Sequence, residues 1–377
     1  MLKFAAAAIL VHFSILQISG QEKSPAISDY VIIGYVHGNS QTVDLSRIPA
    51  KKLTHINYAF ANVVDGVIVE GSAEDADNIA GLRDLKSINP GIRILVSVGG
   101  WGWSRNFSEA VMDAPAREVF ANSAIEMVKN HQLDGIDLDW EYPGQIGAGN
   151  KFSIKDKENF TSVLALIRHK LDSLGGPDRH YLLTIATAAN KKYLKHTEMD
   201  KAQKYLDYVN IMTYDFRGGW DKVTGHHANL NKSDSDPNHY ALSATQAVNE
   251  HIAAGVPKSK LVLGLPFYGR WWSKVEPENH GLYQPAHGAA GGVKYSVLAD
   301  SLINKNGFVQ YFDSTAAAPY LWNVDSAMFI TFDNTRSFKL KCEYVKKEGL
   351  AGVMFWEYKG DDGSLINSLH DNLNVNK

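Results

Sequence analysis

The sequence predicts an α/β fold, an eight-fold β/α (TIM) barrel carrying a small α+β insertion between its seventh and eighth strands. Three observations predict it. Eight short apolar, β-branched or aromatic runs recur along the chain, helical stretches separate them, and about 85 residues lie between the last two runs. Strands alternating with helices point to a barrel, and a doubly wound open sheet is the other arrangement that fits. The 377 residues, 45% hydrophobic and 21% charged, suffice for a buried core and argue against disorder as the dominant state. No segment recurs at a fixed period, which argues against a tandem array.

In chain order, Lys3 precedes a mostly apolar run from Phe4 to Ile18, followed by Ser19, Gly20 and the polar Gln21-Glu22-Lys23. This is the layout of a secretory leader, so residues 1–20 are expected to be removed and the protein exported, extracellular or periplasmic in a Gram-negative host. The run has ~15 residues where ~20 are needed to cross a bilayer, and nothing comparable follows it, so no membrane span is expected in the mature chain. The strand candidates are Tyr30 to Val36, Leu53 to Ala61, Ile92 to Val98, Gly135 to Trp140, Tyr181 to Thr187, Tyr208 to Thr213, Leu261 to Pro266 and Ala351 to Trp356. Most are near-continuous hydrophobic segments, as parallel strands buried on both faces require. Between them, Ala116 to Asn130 reads as a helix, Asp156 to Leu174 as a helix stopped by Gly175-Gly176-Pro177, and Ser243 to Ala254 as one stopped by Gly255 and Pro257.

The gap between strands seven and eight is too long for one crossover helix. It holds Gly288-Ala289-Ala290-Gly291-Gly292, helix-like Val297 to Asn304, and strand-like Phe308 to Phe312 and Ala327 to Thr331. The expected division is a barrel from 27–270 and 332–377 with an insertion from 271–331. An insertion in that loop lies on the face formed by the C-terminal strand ends and walls one side of the active-site cleft.

With 38 Lys and Arg against 41 Asp and Glu the net charge is −3, which gives no footprint for nucleic acid. Cys342 is the one cysteine, so there is no internal disulfide and no cysteine zinc site, and its amphipathic surroundings, Phe338 to Val345, make it a packed thiol. Ser97 lacks the Gly two residues earlier that a nucleophile elbow needs, since Leu95 stands there. Gly144 to Lys151 lacks the Gly-Lys pair of a phosphate loop, and His226-His227 matches no metal triad and reads as loop. Sequons stand at Asn106, Asn159 and Asn231 and matter only in a glycosylating host.

The most informative segment is Asp134-Gly135-Ile136-Asp137-Leu138-Asp139-Trp140-Glu141-Tyr142-Pro143. Residues two apart share a strand face, so Asp137, Asp139 and Glu141 project together at ~6.6 Å steps while Ile136, Leu138 and Trp140 point the other way. Three clustered acids resist joint ionisation, so at least one keeps a proton near neutral pH. A proton held at a cleft mouth is what protonates the leaving oxygen of a glycoside. A calcium loop needs Gly after its third ligand, and here Tyr142 follows Glu141. A solvated acidic strand fits poorly with the apolar flanks.

This run resembles the Asp-x-x-Asp-x-Asp-x-Glu signature of glycoside hydrolase family 18, and the sequence looks like a secreted chitinase of that family. Four more segments resemble family motifs in the same order: Ser97-Val98-Gly99-Gly100-Trp101, Met212-Thr213-Tyr214-Asp215, Gly264-Leu265-Pro266-Phe267-Tyr268-Gly269-Arg270 and Met354-Phe355-Trp356-Glu357. The insertion resembles that of the subgroup with a deepened substrate groove.

The resemblance implies retaining hydrolysis of β-1,4-linked N-acetylglucosamine, with chitin or chitooligosaccharides as partner and neither cofactor nor metal. It makes Glu141 the general acid and later base, and lets the substrate's own acetamido carbonyl attack the anomeric carbon. Asp139 would orient the acetamido N–H and stabilise the oxazolinium-like intermediate, while Asp137 shares a proton with Asp139. Tyr214 would bond the attacking acetamido oxygen and Asp215 a sugar hydroxyl or the leaving side, with Trp356 the floor under the ring. Carried over by motif position as substrate-binding are Tyr35, Phe60, Gly99, Gly100, Trp101, Tyr142, Met212, Trp220 and Arg270. Trp101, Trp103, Trp220, Trp271 and Trp272, at expected strand ends or loops, are expected as a set to pave a sugar groove. The family often has Trp shortly after Tyr35, whereas this chain has Val36-His37-Gly38, so an outer subsite is expected to differ. A lectin on the same scaffold and an endoglycosidase acting on N-linked glycans are the competing functions. No Ser/Pro-rich linker or appended module follows the last strand, from which soluble oligosaccharides or loose chitin are expected as substrate; the protein is expected to be a monomer.

Overall fold

The computed structural model describes residues 30–373 apart from Asn39; the expected leader at residues 1–20 lies outside the described residues. Eight parallel strands close into a barrel: Val31–His37, His55–Val64, Arg93–Gly99, Gly135–Asp139, Leu182–Ala188, Tyr208–Met212, Leu261–Pro266 and Gly352–Trp356. Closure is made by the first strand, which pairs with the second from Ile33 opposite His55 and with the eighth from Val31 opposite Gly352. Only pairing at both edges satisfies every strand's amides, and that is what separates this barrel from the open sheet.

The alternation along each strand sorts side chains into two cores. Ile33, Tyr35, Ala59, Val262 and Met354 fill the barrel interior. Ile136, Leu138 and Trp140 face outward into the large layer beneath the helices, where Trp140 stacks on Phe107 at 5.2 Å and meets Phe160 edge-on. The helices there include Ala114–Asn130, Asp156–Gly175, Ala244–Ala253 and Thr335–Glu348. Three have side-chain caps the sequence carries: Asp113 accepts from the Ala116 amide, Ser243 from that of Gln246 and Asn334 from that of Ser337. Cys342 is fully buried on the last of them, as expected of a packed thiol. The first connection has no full helix, only turns at Leu45–Arg47 and Ala50–Lys52. Pro49 between them has no amide to donate and disfavours helical backbone at Ile48.

The insertion is built on a second, antiparallel sheet of five strands in the spatial order Ala290–Lys294, Tyr268–Trp272, Met328–Thr331, Ala318–Asn323 and Val309–Asp313. Its first strand starts at Tyr268, two residues after a barrel strand ends, so Arg270 belongs to this sheet. Ala290–Lys294 has two glycines, which weakens any strand signal in the sequence, and the neighbouring strand supplies the pairing. The expected helix at 297–304 is instead a short turn of helix at Tyr295–Val297 running into a wider turn at Leu298–Leu302.

Candidate active site

A cavity of about 1220 Å³ opens at the C-terminal ends of the barrel strands, with Tyr268, Arg270, Val293 and Lys294 of the second sheet as one wall. The acid run supplies its centre. Asp137 lies below it, wholly buried, and accepts from the Tyr35 hydroxyl (2.9 Å), Ser97 (2.7 Å), Thr184 (2.5 Å) and the Asn210 amide (3.4 Å). Those donors come from four different strands. Burial still holds its carboxyl above the usual range, with the four bonds pulling it down. Asp139 lines the cavity; its Oδ1 has no partner, and burial, then the charges of Glu141 and Asp137, push its carboxyl well up. Asp137 acts on Asp139 through its charge, which adds to the rise of the Asp139 carboxyl. Asp137 is already saturated by neutral donors.

Glu141 follows the strand rather than ending it, and still turns its carboxyl into the cavity. Burial raises it to about 7, against a bond from Tyr142 and with the nearby charge of Asp215 adding to the rise. Two devices place it. The Glu141 amide donates to Ser104 Oγ (2.8 Å), and that hydroxyl also lies 2.9 Å from the Gly100 carbonyl and 3.1 Å from that of Asp139, tying the loop after strand three to the acid. Gly99 has φ +103°, and a Cβ there would fall 2.5 Å from the Asp139 carbonyl oxygen, so only glycine lets the strand ends approach this closely. Beyond the acid, buried Asp156 accepts from Ser108 and from the amides of Gly144 and Ser153, which folds the 142–156 loop back.

Trp356 forms the floor, with Phe60 stacked near it at 5.4 Å and the rings of His37 and Tyr35 at 5.5 and 5.9 Å. Tyr214 and Met212 line the same wall, and burial pushes the Tyr214 phenol well up, keeping it a donor. Asp215 sits at φ +59° and is gripped by Arg270 through Nε (2.8 Å) and Nη2 (2.7 Å). Burial opposes its ionisation, but the His227 imidazole, 3.7 Å away, and the bonded Arg270 guanidinium outweigh it and hold the carboxyl down at about 2. Arg270 also lies 5.3 Å from the Trp220 ring, which is 62% exposed at the rim. On the opposite rim Trp101 meets Tyr142 edge-on at 6.3 Å.

Thirteen of the fifteen residues given catalytic or substrate-binding roles thus line one cavity: Tyr35, Phe60, Gly99, Trp101, Asp139, Glu141, Tyr142, Met212, Tyr214, Asp215, Trp220, Arg270 and Trp356. Asp137 lies beneath it. Gly100 does not line it; a Cβ there would sit 2.5 Å from the Phe60 ring, so the position serves to seat that ring. The tryptophans divide. Trp103 lines the cavity, whereas Trp272 is buried in the core of the insertion and Trp271 packs against the barrel's outer layer, because consecutive residues of a strand face opposite ways. His226 and His227 lie outside strand and helix but are fully buried, beside Asp313 and Asp215. The sequence reading missed Lys294 and Glu357 on the cavity wall; Glu357 stood within a quoted motif, and nothing local marks Lys294.

A sequence profile described as glycosyl hydrolases family 18 matches residues 31–361. Chitinase A1 of Niallia circulans is 38% identical over 89% of this chain, which spans 57% of that protein's length. Chitinase 1 of Aphanocladium album is 34% identical, with 89% of this chain and 82% of the relative covered. Among solved structures, a glycoside hydrolase family 18 N-acetylglucosaminidase from Paenibacillus barengoltzii is 44% identical and superposes with a TM-score of 0.84, covering 91% of this chain and all of that one.

Proposed function

The chain belongs to family 18 of the glycosyl hydrolases, and from that premise we propose that it is a chitinase, cleaving β-1,4-linked N-acetylglucosamine with retention and with the substrate's acetamido group as nucleophile. The observation that carries the proposal is Glu141, a buried carboxyl raised to about 7 at the mouth of a cavity floored by Trp356. Protonated, it donates to the glycosidic oxygen; ionised after that transfer, it takes a proton from the water that opens the intermediate. The unpartnered Oδ1 of Asp139 supports its role as acceptor for the acetamido N–H. Tyr214 donates to the acetamido oxygen, and Trp356 stacks under the sugar. Trp101 and Trp220 pave the rim of the sugar groove, and Asp215 bonds a sugar hydroxyl or the leaving side. The Phe4 to Ile18 run supports export.

A second reading, exo-acting release of single N-acetylglucosamine units, is favoured by the Paenibacillus relative and by His37 beside Trp356 where an aromatic often extends the groove. Fluorogenic glycosides of N-acetylglucosamine and of N,N′-diacetylchitobiose, given to the wild type and to Glu141→Gln, separate these outcomes. Faster turnover of the chitobioside, abolished in the variant while chitooligosaccharide binding persists, supports the chitinase. Faster turnover of the monosaccharide glycoside supports exo action. Binding without turnover by the wild type means a lectin and withdraws the catalytic roles.

A further inference from the structure

His227 is wholly buried, and neither of its ring nitrogens has a hydrogen-bond partner. Its backbone is fixed on both sides: the amide donates to Thr331 Oγ1 at 3.2 Å and the carbonyl accepts from the Phe216 amide at 3.0 Å. The ring packs on Tyr268 at 5.4 Å, and Nδ1 lies 3.7 Å from Asp215 Oδ1, just outside bonding distance. Solvent does not reach it, so an unmet N–H there is costly unless the one nearby carboxylate accepts it. The other charged groups around it are already engaged. Arg270 grips Asp215, and Asp333 is paired with Lys341, whose ammonium also donates to the Ala228 carbonyl. Burial keeps the imidazole neutral despite Asp215 and Asp333, so it has one proton to place.

We propose that His227 is a positioning residue for Asp215: closing the 3.7 Å separation when a sugar loads the leaving side, its Nδ1–H bonds Oδ1 and holds the carboxylate turned to that sugar. Hydrogen bonds that are long without substrate tighten in the complex in this way. Arg270 fixes the carboxylate from the second sheet and His227 fixes it from behind. The backbone of Asp215, at φ +59°, is already in a conformation that side chains rarely adopt and that the surroundings must maintain. The inference rests on the reading of the cavity as a glycosidase site.

The test compares His227→Phe, which keeps a ring against Tyr268 but no donor, with His227→Asn, which keeps a short donor, each also in an Asp215→Asn background. KM and kcat on chitotetraose, chitohexaose affinity by calorimetry and thermal melting are read for all. The Phe variant should raise KM for chitotetraose and weaken chitohexaose binding by about tenfold. Asn should recover most of that loss, and neither change should add anything once Asp215 is Asn. Equal losses in both backgrounds, or a lower melting temperature with KM and affinity unchanged, would overturn the proposal and leave the chitinase reading intact. A wild type that binds chitohexaose without turnover sinks the hydrolase reading, while the affinity series still decides the role of His227. A wild type that does neither overturns both.

Discussion

Glu141 shares its cavity with Asp139, and burial raises both carboxyls. The proton that Glu141 delivers is lost as pH rises through about 7, so kcat should fall on that side; a profile flat to pH 9 would remove Glu141 as the acid. The two groups titrate as a pair, and the midpoint belongs to the pair. The same shift carries a stability cost. Because the folded pKa exceeds the usual 4.5, the folded state binds the extra proton, so stability is fully present below about 4.5 and declines until pH passes about 7. Glu141→Gln should therefore lose turnover by at least about a hundredfold while melting higher than the wild type, by a margin that grows from pH 5 to pH 8. An equal margin at both pH values would show that the burial cost has been misassigned.

At the scale of elements, the acid is placed by contacts between neighbouring strand ends. Ser104 accepts the Glu141 amide and lies in reach of two carbonyls, so Ser104→Ala leaves a buried N–H unmet and should destabilise the fold by about 1–3 kcal/mol, with kcat reduced. Denaturant melts and turnover measured on the same preparation check it; an unchanged midpoint would mean that the loop is held elsewhere. Gly99→Ala should be worse, since its Cβ would meet the Asp139 carbonyl oxygen at 2.5 Å in a backbone conformation with φ +103°. Little soluble protein, or a melting temperature well below that of Gly102→Ala, where a Cβ meets open space, is the expected outcome. The five quoted motifs marked these loops, but not Ser104, because a lone serine three residues beyond a motif has no periodic or compositional signal.

Across the whole molecule, net charge is −3 and the proposed substrate is uncharged, so electrostatic steering has nothing to act on. Raising salt from 0.05 to 0.5 M should change kcat/KM by less than about twofold, and a steep fall would point to an anionic substrate. Hydrophobic runs of strand length, separated by helical periodicity, made the eight strands and the long insertion legible in the sequence. The alternation Asp137, Asp139, Glu141 likewise placed a carboxylate row on one strand face. These are local properties, set by which way successive side chains point. What only the tertiary structure decided depends on residues brought together from distant strands. Asp137 is held by Tyr35, Ser97, Thr184 and Asn210; Gly100 seats a ring instead of a sugar; Trp272 is core; and His227 ends beside Asp215. Side-chain direction along one strand follows from backbone geometry, whereas a partner across the barrel is chosen only when the sheet closes.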